Sequence, residues 1–300
     1  MRAPFAWFGG KGNMTAKLRK LIPQHRTYCE PFFGAGSVFF DKAAAEVETI
    51  NDLDSAVAGF FKVLREQPEE FCRLANLTEY GRELWLDCRA TWAEEPDPVR
   101  RAWKWWVVAR MSFSGRFGGS ISTVVTASDR GMAGTCSKFL SCVDLLPEMS
   151  ARLRRVQIEN IDALTVLERY CTEDGFAYLD PPYVQDTRQG GIDNPNDGRY
   201  VHEMTDADHA ALVDALLRLP GKFLLSGYAQ DVYAPLEAAG WRRIDWQTGC
   251  YAAGRTRASG LQGEGSVMSK QGRTESAWLC PATAAEVLDP EQLELLAAGG

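Results

Sequence analysis

The segment that most constrains the fold is an apolar run, Phe176 to Leu179, that ends directly in Asp180, two prolines and Tyr183. A proline cannot donate a hydrogen bond to a neighbouring strand, and it confines the residue before it to an extended conformation. The strand therefore has to end here, with the Asp180 carboxylate at its carboxyl end in a stiff setting. Rigid acceptors beside an aromatic ring suit a planar ligand with an amino group. A surface turn closed by two prolines is the alternative, but it does not explain the buried run.

A second transition from strand to helix lies in residues 27–45. The pattern predicts a strand that ends near Glu30, a loop from Pro31 to Gly36, and a helix that opens at Ser37 as its N-cap. Gly34 and Gly36 would let the backbone approach a nucleotide-like ligand closely. The segment does not complete G-x-G-x-x-G and is not a P-loop, so a structural glycine turn is an equally good interpretation at this point.

Asp52 follows the next apolar strand, and an acid at that place can accept hydrogen bonds from both hydroxyls of a ribose. Glycines without a phosphate site favour a nucleoside cofactor that lacks a pyrophosphate, and S-adenosyl-L-methionine fits this description. Strands and helices alternate again after residue 156, including a helix with Thr205 as its N-cap. This alternation predicts an α/β fold with a Rossmann-like, mostly parallel sheet.

Residues 70–156 lose the alternation and contain Trp-rich helical segments and a Gly/Ser-rich stretch. We therefore predict a discontinuous catalytic domain, 1–69 and 157–300, and an inserted, mainly helical domain, 70–156. The three tryptophans at 103, 105 and 106 have the spacing of a helix packed in a core, and a stacking surface is the alternative. Residues 184–204 are polar and predict a long surface loop of the kind that covers binding sites.

The distribution of charge is uneven. The net charge is −7, yet residues 100–138 contain seven basic residues and one acidic residue. This pattern indicates either a phosphate-binding surface or an ordinary solvated face. The candidate nucleic-acid contacts in this segment are Arg100, Arg101, Lys104, Arg110, Ser112, Ser114, Arg116, Arg130 and Lys138.

The eight cysteines form no C-x-x-C pair, and three histidines are too few to favour a zinc site, so we predict reduced thiols and no metal. No apolar run approaches the roughly 20 residues that span a bilayer. The N-terminus lacks the apolar stretch of a signal peptide. These features predict a cytoplasmic protein that does not contact membranes.

Several motifs together resemble the Dam-type DNA adenine-N6 methyltransferases, in the alpha arrangement of amino-methyltransferases. They are "WFGGKG" at 7–12, "EPFFGAGSVFF" at 30–40, "NDLD" at 51–54, "LDPPY" at 179–183 and "RTESAWLCP" at 273–281. The resemblance covers roughly 1–65 and 156–281. Over 70–156 the likeness is looser, and the polar, Asn-containing loop usual in the family is replaced by "RMSFSGRFGG". The resemblance therefore implies DNA as substrate, but no recognition sequence.

The resemblance also implies roles for individual residues. Asp180 and the carbonyl of Pro181 would accept hydrogen bonds from the target amino group, with Pro182 stiffening the loop and Tyr183 stacking on the base. Lys11 would lie near the methionine carboxylate of S-adenosylmethionine. The other residues expected around this cofactor are Trp7, Glu30, Phe32, Gly34, Gly36, Asp52, Asp162 and Asp180. Arg188 and Tyr200, in the predicted loop, are weaker candidates for DNA contact.

An adenine inside a duplex cannot present its N6 atom, so we expect the base to be flipped out of double-stranded DNA. Cytosine-N4 methylation uses the same chemistry, although Ser more often precedes the prolines there. A DNA-binding relative without catalytic activity is a further alternative. It is disfavoured because Asp52 and the whole tetrad at 180–183 ("DPPY") are present. Pairing with a restriction enzyme stays open. We expect a monomer, with transient dimerisation on DNA as an alternative.

Overall fold

The computed structural model describes residues 1–7, 9–183, 202–249 and 272–289. In chain order its strands are β1 (Thr27–Glu30), β2 (Val47–Asn51), β3 (Ser128–Asp129), β4 (Met132–Ala133), β5 (Val156–Glu159), β6 (Gly175–Leu179), β7 (Lys222–Gly227), β8 (Arg242–Gly249) and β9 (Gly272–Leu279). The helices are α1 (Thr15–Leu18), α2 (Ser37–Asp41), α3 (Ser55–Glu66), α4 (Pro68–Asn76), α5 (Arg82–Thr91), α6 (Pro98–Met111), α7 (Gly134–Leu153), α8 (Ala163–Tyr170), α9 (Asp206–Arg218), α10 (Ala234–Ala238) and α11 (Pro281–Val287). Short 3-10 turns cover Arg19–Leu21, Trp92–Glu94, Phe113–Gly115 and Asp231–Tyr233.

Seven strands form one sheet in the order β5-β2-β1-β6-β7-β9-β8. Neighbours from β5 to β7 are parallel, whereas β9 is antiparallel to both β7 and β8. This confirms the predicted Rossmann-like sheet. The chain builds outward from β1 in one direction and from β6 in the other, so β1 and β6 flank the point where the strand order reverses. In open sheets of this type, ligands bind at the carboxyl ends of the strands at such a point.

Strand β6 explains how the sheet is packed on both faces. All five of its residues are buried, as expected for a parallel strand between two layers of helices. Successive side chains point to opposite faces. Phe176 and Tyr178 accordingly join one hydrophobic cluster, and Ala177 and Leu179 join the other. The strand is thereby fixed in register, and Asp180 emerges from the sheet at its carboxyl edge.

The inserted helices share the first of these clusters with the sheet. Trp105 and Trp106 are buried beside Phe60 of α3 and Phe71 of α4, which confirms the prediction that they pack in a core. The Trp106 indole donates to the carbonyl of Pro4 over 3.1 Å. The sheet resumes at Val156, so helices α4 to α7 occupy the predicted insertion. The division into two domains stays a prediction.

Two helix starts test the predicted caps. Thr205 caps α9 through a reciprocal pair of bonds with Asp208, which confirms that prediction. Helix α2 begins at Ser37, as predicted, but the prediction that Ser37 is its N-cap is wrong: Gly36 is the N-cap, with a φ of 67°. The left-handed turn of Gly36 already redirects the chain, so the helix begins without a capping side chain.

Candidate active site

The glycine loop between β1 and α2 is shaped by close neighbours. Gly34 has a φ of 50°, and a side chain there would lie 2.9 Å from the Trp7 ring. Gly36 is also left-handed, and a side chain there would overlap the ring of Phe33. Any other residue at these two positions would combine backbone strain with a clash. The loop therefore holds its backbone open toward the sheet edge.

Asp52 connects this loop to the next one. One oxygen of its carboxylate accepts a hydrogen bond from the Gly34 N–H over 2.8 Å, and the other accepts from the Asp54 N–H over 2.9 Å. Burial raises the pKa of Asp52 to about 7, although these backbone bonds act in the opposite direction. Because each oxygen has a second lone pair, the carboxylate can still accept from a diol.

Glu30, at the end of β1, is 2% exposed. The hydroxyl of Tyr28 donates to its carboxylate over 2.6 Å. Burial raises the pKa of Glu30 to about 8; the bond from Tyr28 lowers it and the nearby charge of Asp180 adds to the rise. Glu30 is therefore a buried acid that stays largely protonated at neutral pH until a cation approaches it.

Asp180 follows β6 and is held through one of its two oxygens. That oxygen accepts from the Lys11 ammonium over 2.5 Å and from the Ser226 hydroxyl over 3.0 Å. Ser226 lies on β7, and its hydroxyl also contacts that of Tyr178 over 2.9 Å. Within the described residues the other Asp180 oxygen, Oδ2, has no hydrogen-bond partner. The carboxylate is thus fixed on one side and able to accept on the other.

Lys11 is expected near a methionine carboxylate, and that contact stays a prediction; in the structure its ammonium bonds to groups of the protein. Its three N–H groups are accounted for by Asp180, the Tyr183 hydroxyl at 2.7 Å and the carbonyl of Gly9 at 3.2 Å. Burial alone would lower the pKa of Lys11, but Asp180 and the neighbouring Tyr178 and Glu275 raise it above its usual value. Lys11 is therefore a buried ammonium that ties Asp180 and Tyr183 together.

Tyr183 is 8% exposed, and its ring packs on Tyr228 with centroids 4.4 Å apart. Behind the loop, His209 is fully buried and its Nδ1 lies 3.0 Å from the Tyr233 hydroxyl. Burial lowers the pKa of His209, so a neutral ring supports the loop at neutral pH. The tetrad is stiffened by packed side chains as well as by its prolines.

A cavity of about 240 Å³ joins the two loops at the sheet edge. From one side it is lined by the predicted residues Trp7, Lys11, Glu30, Phe32, Gly34, Gly36, Asp52 and Asp162, and from the other by Asp180 and Pro182. Pro181 and Tyr183 are not part of its described wall. Seven of the described lining residues are Asp or Glu and one is Lys, so the cavity favours a ligand with net positive charge.

Asp162 lies at the rim of this cavity as a helix cap. Its carboxylate accepts from the backbone of Leu164 at 2.9 Å and of Thr165 at 3.2 Å, which fixes the start of α8. The side chain is exposed. A contact between Asp162 and a cofactor stays a prediction.

Four residues of the site were not assigned a role from the sequence: Tyr178, Ser226, Tyr228 and Glu275. Glu275, on β9, lies 3.9 Å from the Lys11 ammonium and 3.4 Å from the Tyr183 hydroxyl. Burial raises its pKa, which Lys11 opposes. Glu275 lies within the motif at 273–281, which indicated that this segment matters for function. No local sequence pattern predicts that its side chain faces Lys11 and Tyr183.

Some of the predicted DNA contacts are exposed to solvent, and others are bonded to groups of the protein itself. Arg100, Arg101, Ser114 and Lys138 are exposed. Lys104 pairs with Glu95 at 2.8 Å, and Arg110 donates to the Lys138 carbonyl. Arg116 is half-buried, and Arg130 donates to Ser137 and Ser141.

The structure corrects the prediction for Ser112. This residue is 4% exposed, and its hydroxyl donates to the Val108 carbonyl over 2.6 Å at the end of α6. The same oxygen accepts from the Gly118 N–H and the Trp85 indole. Packing of the loop onto Trp85 encloses the side chain, so Ser112 shapes the loop and does not face a ligand.

Other predictions concern metals, thiols and membranes. Across the described ranges, no group of three or more His, Cys, Asp or Glu residues could hold a metal ion. The seven cysteines within these ranges form no disulfide with one another, and their reduced state stays a prediction. A search of the described residues found no helix with the length and apolar character needed to cross a membrane. The residues 184–201, including Arg188 and Tyr200, lie outside the described part of the chain.

The reversal point of the sheet, the glycine loop and the acid-lined cavity define an α/β methyltransferase. Residues 7–204 match the family of D12 class N6 adenine-specific DNA methyltransferases, and the chain belongs to this family. It is 25% identical over 231 residues to the Type II methyltransferase M1.LlaDCHI of Lactococcus lactis subsp. cremoris, with 73% of this chain and 78% of that protein covered. The DNA adenine methylases of Vibrio cholerae and Escherichia coli K12 are 29% and 25% identical over 118 residues, 38% of this chain and 42% of theirs. The reaction of the family is methylation of adenine N6 in DNA.

Proposed function

We propose that the chain transfers a methyl group from S-adenosyl-L-methionine to the N6 amino group of an adenine flipped out of double-stranded DNA. The observation that carries this proposal is the continuous cavity that joins the Gly34–Asp52 pair to Asp180. Gly34 lets a ligand approach the backbone closely, and Asp52 can accept hydrogen bonds from a diol. Asp180 can accept a hydrogen bond from an amino group. All three lie at the edge where such sheets bind ligands.

The cavity residues fit this cofactor by charge and by shape. S-adenosylmethionine carries a sulfonium, an ammonium and a carboxylate, and therefore one net positive charge. The acidic lining complements this charge, and buried Glu30 is suited to the ammonium or the sulfonium because a nearby cation favours its charged form. Asp52 would hold the ribose, and the side chains of Trp7 and Phe32 would supply apolar walls. When bound, the cofactor supplies an electrophilic methyl group on sulfur, which leaves as a neutral thioether.

Asp180 prepares the amino group for this methyl. The lone pair of N6 is delocalised into the adenine ring, and two acceptors draw the nitrogen toward a tetrahedral geometry that localises the pair. The open Oδ2 of Asp180 and the carbonyl of Pro181 are the proposed acceptors. After the C–N bond forms, N6 loses one proton, and the Asp180 carboxylate is placed to take it before it passes to solvent. Positioning and electrostatics supply most of the rate.

Lys11 and Ser226 have a positioning role in this scheme. Their bonds to one Asp180 oxygen leave the other oxygen directed away from the protein interior. Tyr183 would stack on the flipped base, as the resemblance to the family implies. This assignment moves Lys11 from the cofactor to the target base.

Exposed basic side chains of the insertion would contact the phosphate backbone of the DNA. Arg100, Arg101 and Lys138 are the proposed phosphate contacts, and Ser114 in the adjoining loop is the proposed polar contact. Arg110, Arg116, Arg130 and Lys104 would contribute through their charge while they keep their internal bonds.

The experiment that tests the proposed function uses unmethylated DNA and cofactor labelled on its methyl group. After incubation, the DNA is digested to nucleosides, which are separated. Label in N6-methyladenosine supports the proposal. Label in N4-methylcytosine supports the alternative base, and the absence of transfer supports a DNA-binding protein without catalytic activity. Sequencing of the modified DNA then gives the recognition site.

A further inference from the structure

Lys11 lies between two carboxylates that belong to different parts of the chain. Its ammonium is 2.5 Å from Asp180, which follows β6, and 3.9 Å from Glu275 on the antiparallel strand β9. The first distance is a hydrogen-bonded ion pair, and the second is an ion pair without a direct hydrogen bond. No other carboxylate in the described ranges lies within 4 Å of this ammonium.

The three groups are largely removed from solvent. The side chains of Lys11, Asp180 and Glu275 are 3%, 18% and 13% exposed. Charges in such a place are weakly screened, so a small movement of the ammonium changes the electrostatic environment of both carboxylates. Glu275 is also within 3.4 Å of the Tyr183 hydroxyl, which itself accepts from Lys11. Lys11, Tyr183 and Glu275 thus form a connected path.

The bond between Lys11 and Asp180 poses a problem for catalysis. An ammonium at 2.5 Å draws electron density from the carboxylate and weakens it as an acceptor for an amino group. A second anion close to Lys11 offers a way to relieve this effect at the moment it matters.

We propose that Glu275 is a positioning residue that receives the Lys11 ammonium when the target amino group engages Asp180. In the free protein Lys11 holds Asp180 in place. As the amino group binds, Lys11 moves toward Glu275, keeps its bond to Tyr183, and leaves Asp180 a stronger acceptor. No bond other than hydrogen bonds is exchanged in this movement. The inference rests on the proposed function, because it acts on the same reaction.

Replacing Glu275 with Gln removes its charge and keeps its shape. We expect the single-turnover rate of methyl transfer, at saturating cofactor and DNA, to fall about 10-fold or more. The dissociation constants for S-adenosylmethionine and for an oligonucleotide with the mapped site should change by less than about 3-fold, because the side chain acts only once both ligands are bound. Glu275→Asp keeps the charge and should recover part of the rate.

Asp245→Asn is the matched control. Asp245 lies on the partner strand β8, and its carboxylate accepts from Ser276, the neighbour of Glu275, over 2.6 Å. It removes a carboxylate from the same pair of strands and should leave the rate unchanged. Equal rate losses in E275Q and D245N would assign the effect to the β8–β9 pair and overturn the inference. An unaltered rate in E275Q, or a loss confined to either dissociation constant, would overturn it as well.

The wild-type protein separates this inference from the proposed function. If the wild type transfers no methyl group to adenine, the proposed function itself fails. If the wild type is active and E275Q is equally fast, only the role of Glu275 fails. Thermal melting of each variant shows that the comparison is made between folded proteins.

Discussion

The carboxyl edge of the sheet and the inserted helices carry the two halves of the proposed function, and they hold their charged groups differently. At the sheet edge, Lys11 before α1 and Ser226 on β7 both donate to Asp180, which follows β6. In the insertion, Arg100 and Arg101 are exposed and Lys104 is paired with a neighbouring acid. Chemistry on one nitrogen requires fixed groups, whereas attraction to a phosphate backbone requires only exposed charge. The two regions should therefore respond differently to substitution.

The largest expected effect is that of Asp180→Asn. The amide keeps the shape of the side chain but loses the charge that polarises the amino group, so we expect the rate of methyl transfer to fall by about 1000-fold. Binding of DNA should persist, because the proposed phosphate contacts lie in the insertion. Single-turnover transfer and a filter-binding titration measure the two quantities. Near-normal turnover would remove Asp180 from the mechanism, and Asp174→Asn, at an exposed position, is the control.

The next effect concerns the glycine loop. Gly36→Ala places a methyl group against Phe33 and imposes a left-handed conformation that costs roughly 1–2 kcal/mol. We expect a lower melting temperature and about a 10-fold weaker cofactor affinity by calorimetry, because the loop can no longer keep its backbone open. Gly59→Ala is the matched control, since Gly59 lies in α3 with open space around it and should be stabilised. Equal behaviour of the two variants would show that the loop tolerates a different shape.

A smaller effect should come from the insertion. Arg100→Gln with Arg101→Gln removes two exposed charges, and each phosphate contact contributes about 0.9 to the slope of log affinity against log salt. We expect the slope to fall by about 1.8 while the rate at saturating DNA is unchanged. Lys104 is left in place because its ammonium pairs with Glu95. Arg73→Gln, at an exposed arginine paired with Glu70, is the control. An unchanged slope in the double variant would move the DNA surface elsewhere.

The smallest expected effect is the release of a proton from Glu30 when the cofactor binds. The pKa of Glu30 is raised to about 8 by burial, so this carboxyl is mostly protonated at pH 7 in the free protein. A bound cation favours the carboxylate, so the cofactor should displace about one proton on binding and bind more tightly as the pH rises toward 8. Calorimetry in two buffers with different ionisation enthalpies measures the release.

Glu30→Gln should abolish most of this proton release, whereas Glu46→Gln, at an exposed position, should leave it unchanged. Asp52, with a pKa raised to about 7, accounts for the remainder. Proton uptake on binding, or a release that is the same in the Glu30 variant, would contradict the proposed contact between Glu30 and the cofactor.

The parts of the fold that depend on local constraints could be predicted from the sequence. Prolines end β6 before Asp180, Gly34 and Gly36 form a left-handed turn, and Thr205 begins α9 with its own capping box. Each of these features is decided within a few residues. The one-residue error at Ser37 arose because a hydroxyl and a left-handed glycine both start helices, and here the glycine does so.

Contacts between distant residues could not be predicted in this way. Lys11 and Asp180 are separated by 169 positions, and only the folded chain brings the segment before α1 to the carboxyl end of β6. The proposed role of Glu275 depends on β9 lying antiparallel beside β7. Ser112 looked exposed in a Gly/Ser-rich stretch, and the packing of Trp85 encloses it. In each case tertiary packing, rather than local sequence, decides which partner a side chain meets.

The bonds of Asp52 have a consequence for the design of variants. This one carboxylate ties the Gly34 loop to the turn that precedes α3, in addition to its proposed contact with a ribose. Any substitution of Asp52 therefore releases two backbone turns at the same time, and a loss of affinity would combine an altered loop with a missing acceptor. The two contributions can be separated by changing the ligand instead of the protein. A cofactor analogue that lacks one ribose hydroxyl tests Asp52 as an acceptor, while its bonds to the Gly34 and Asp54 backbones stay intact.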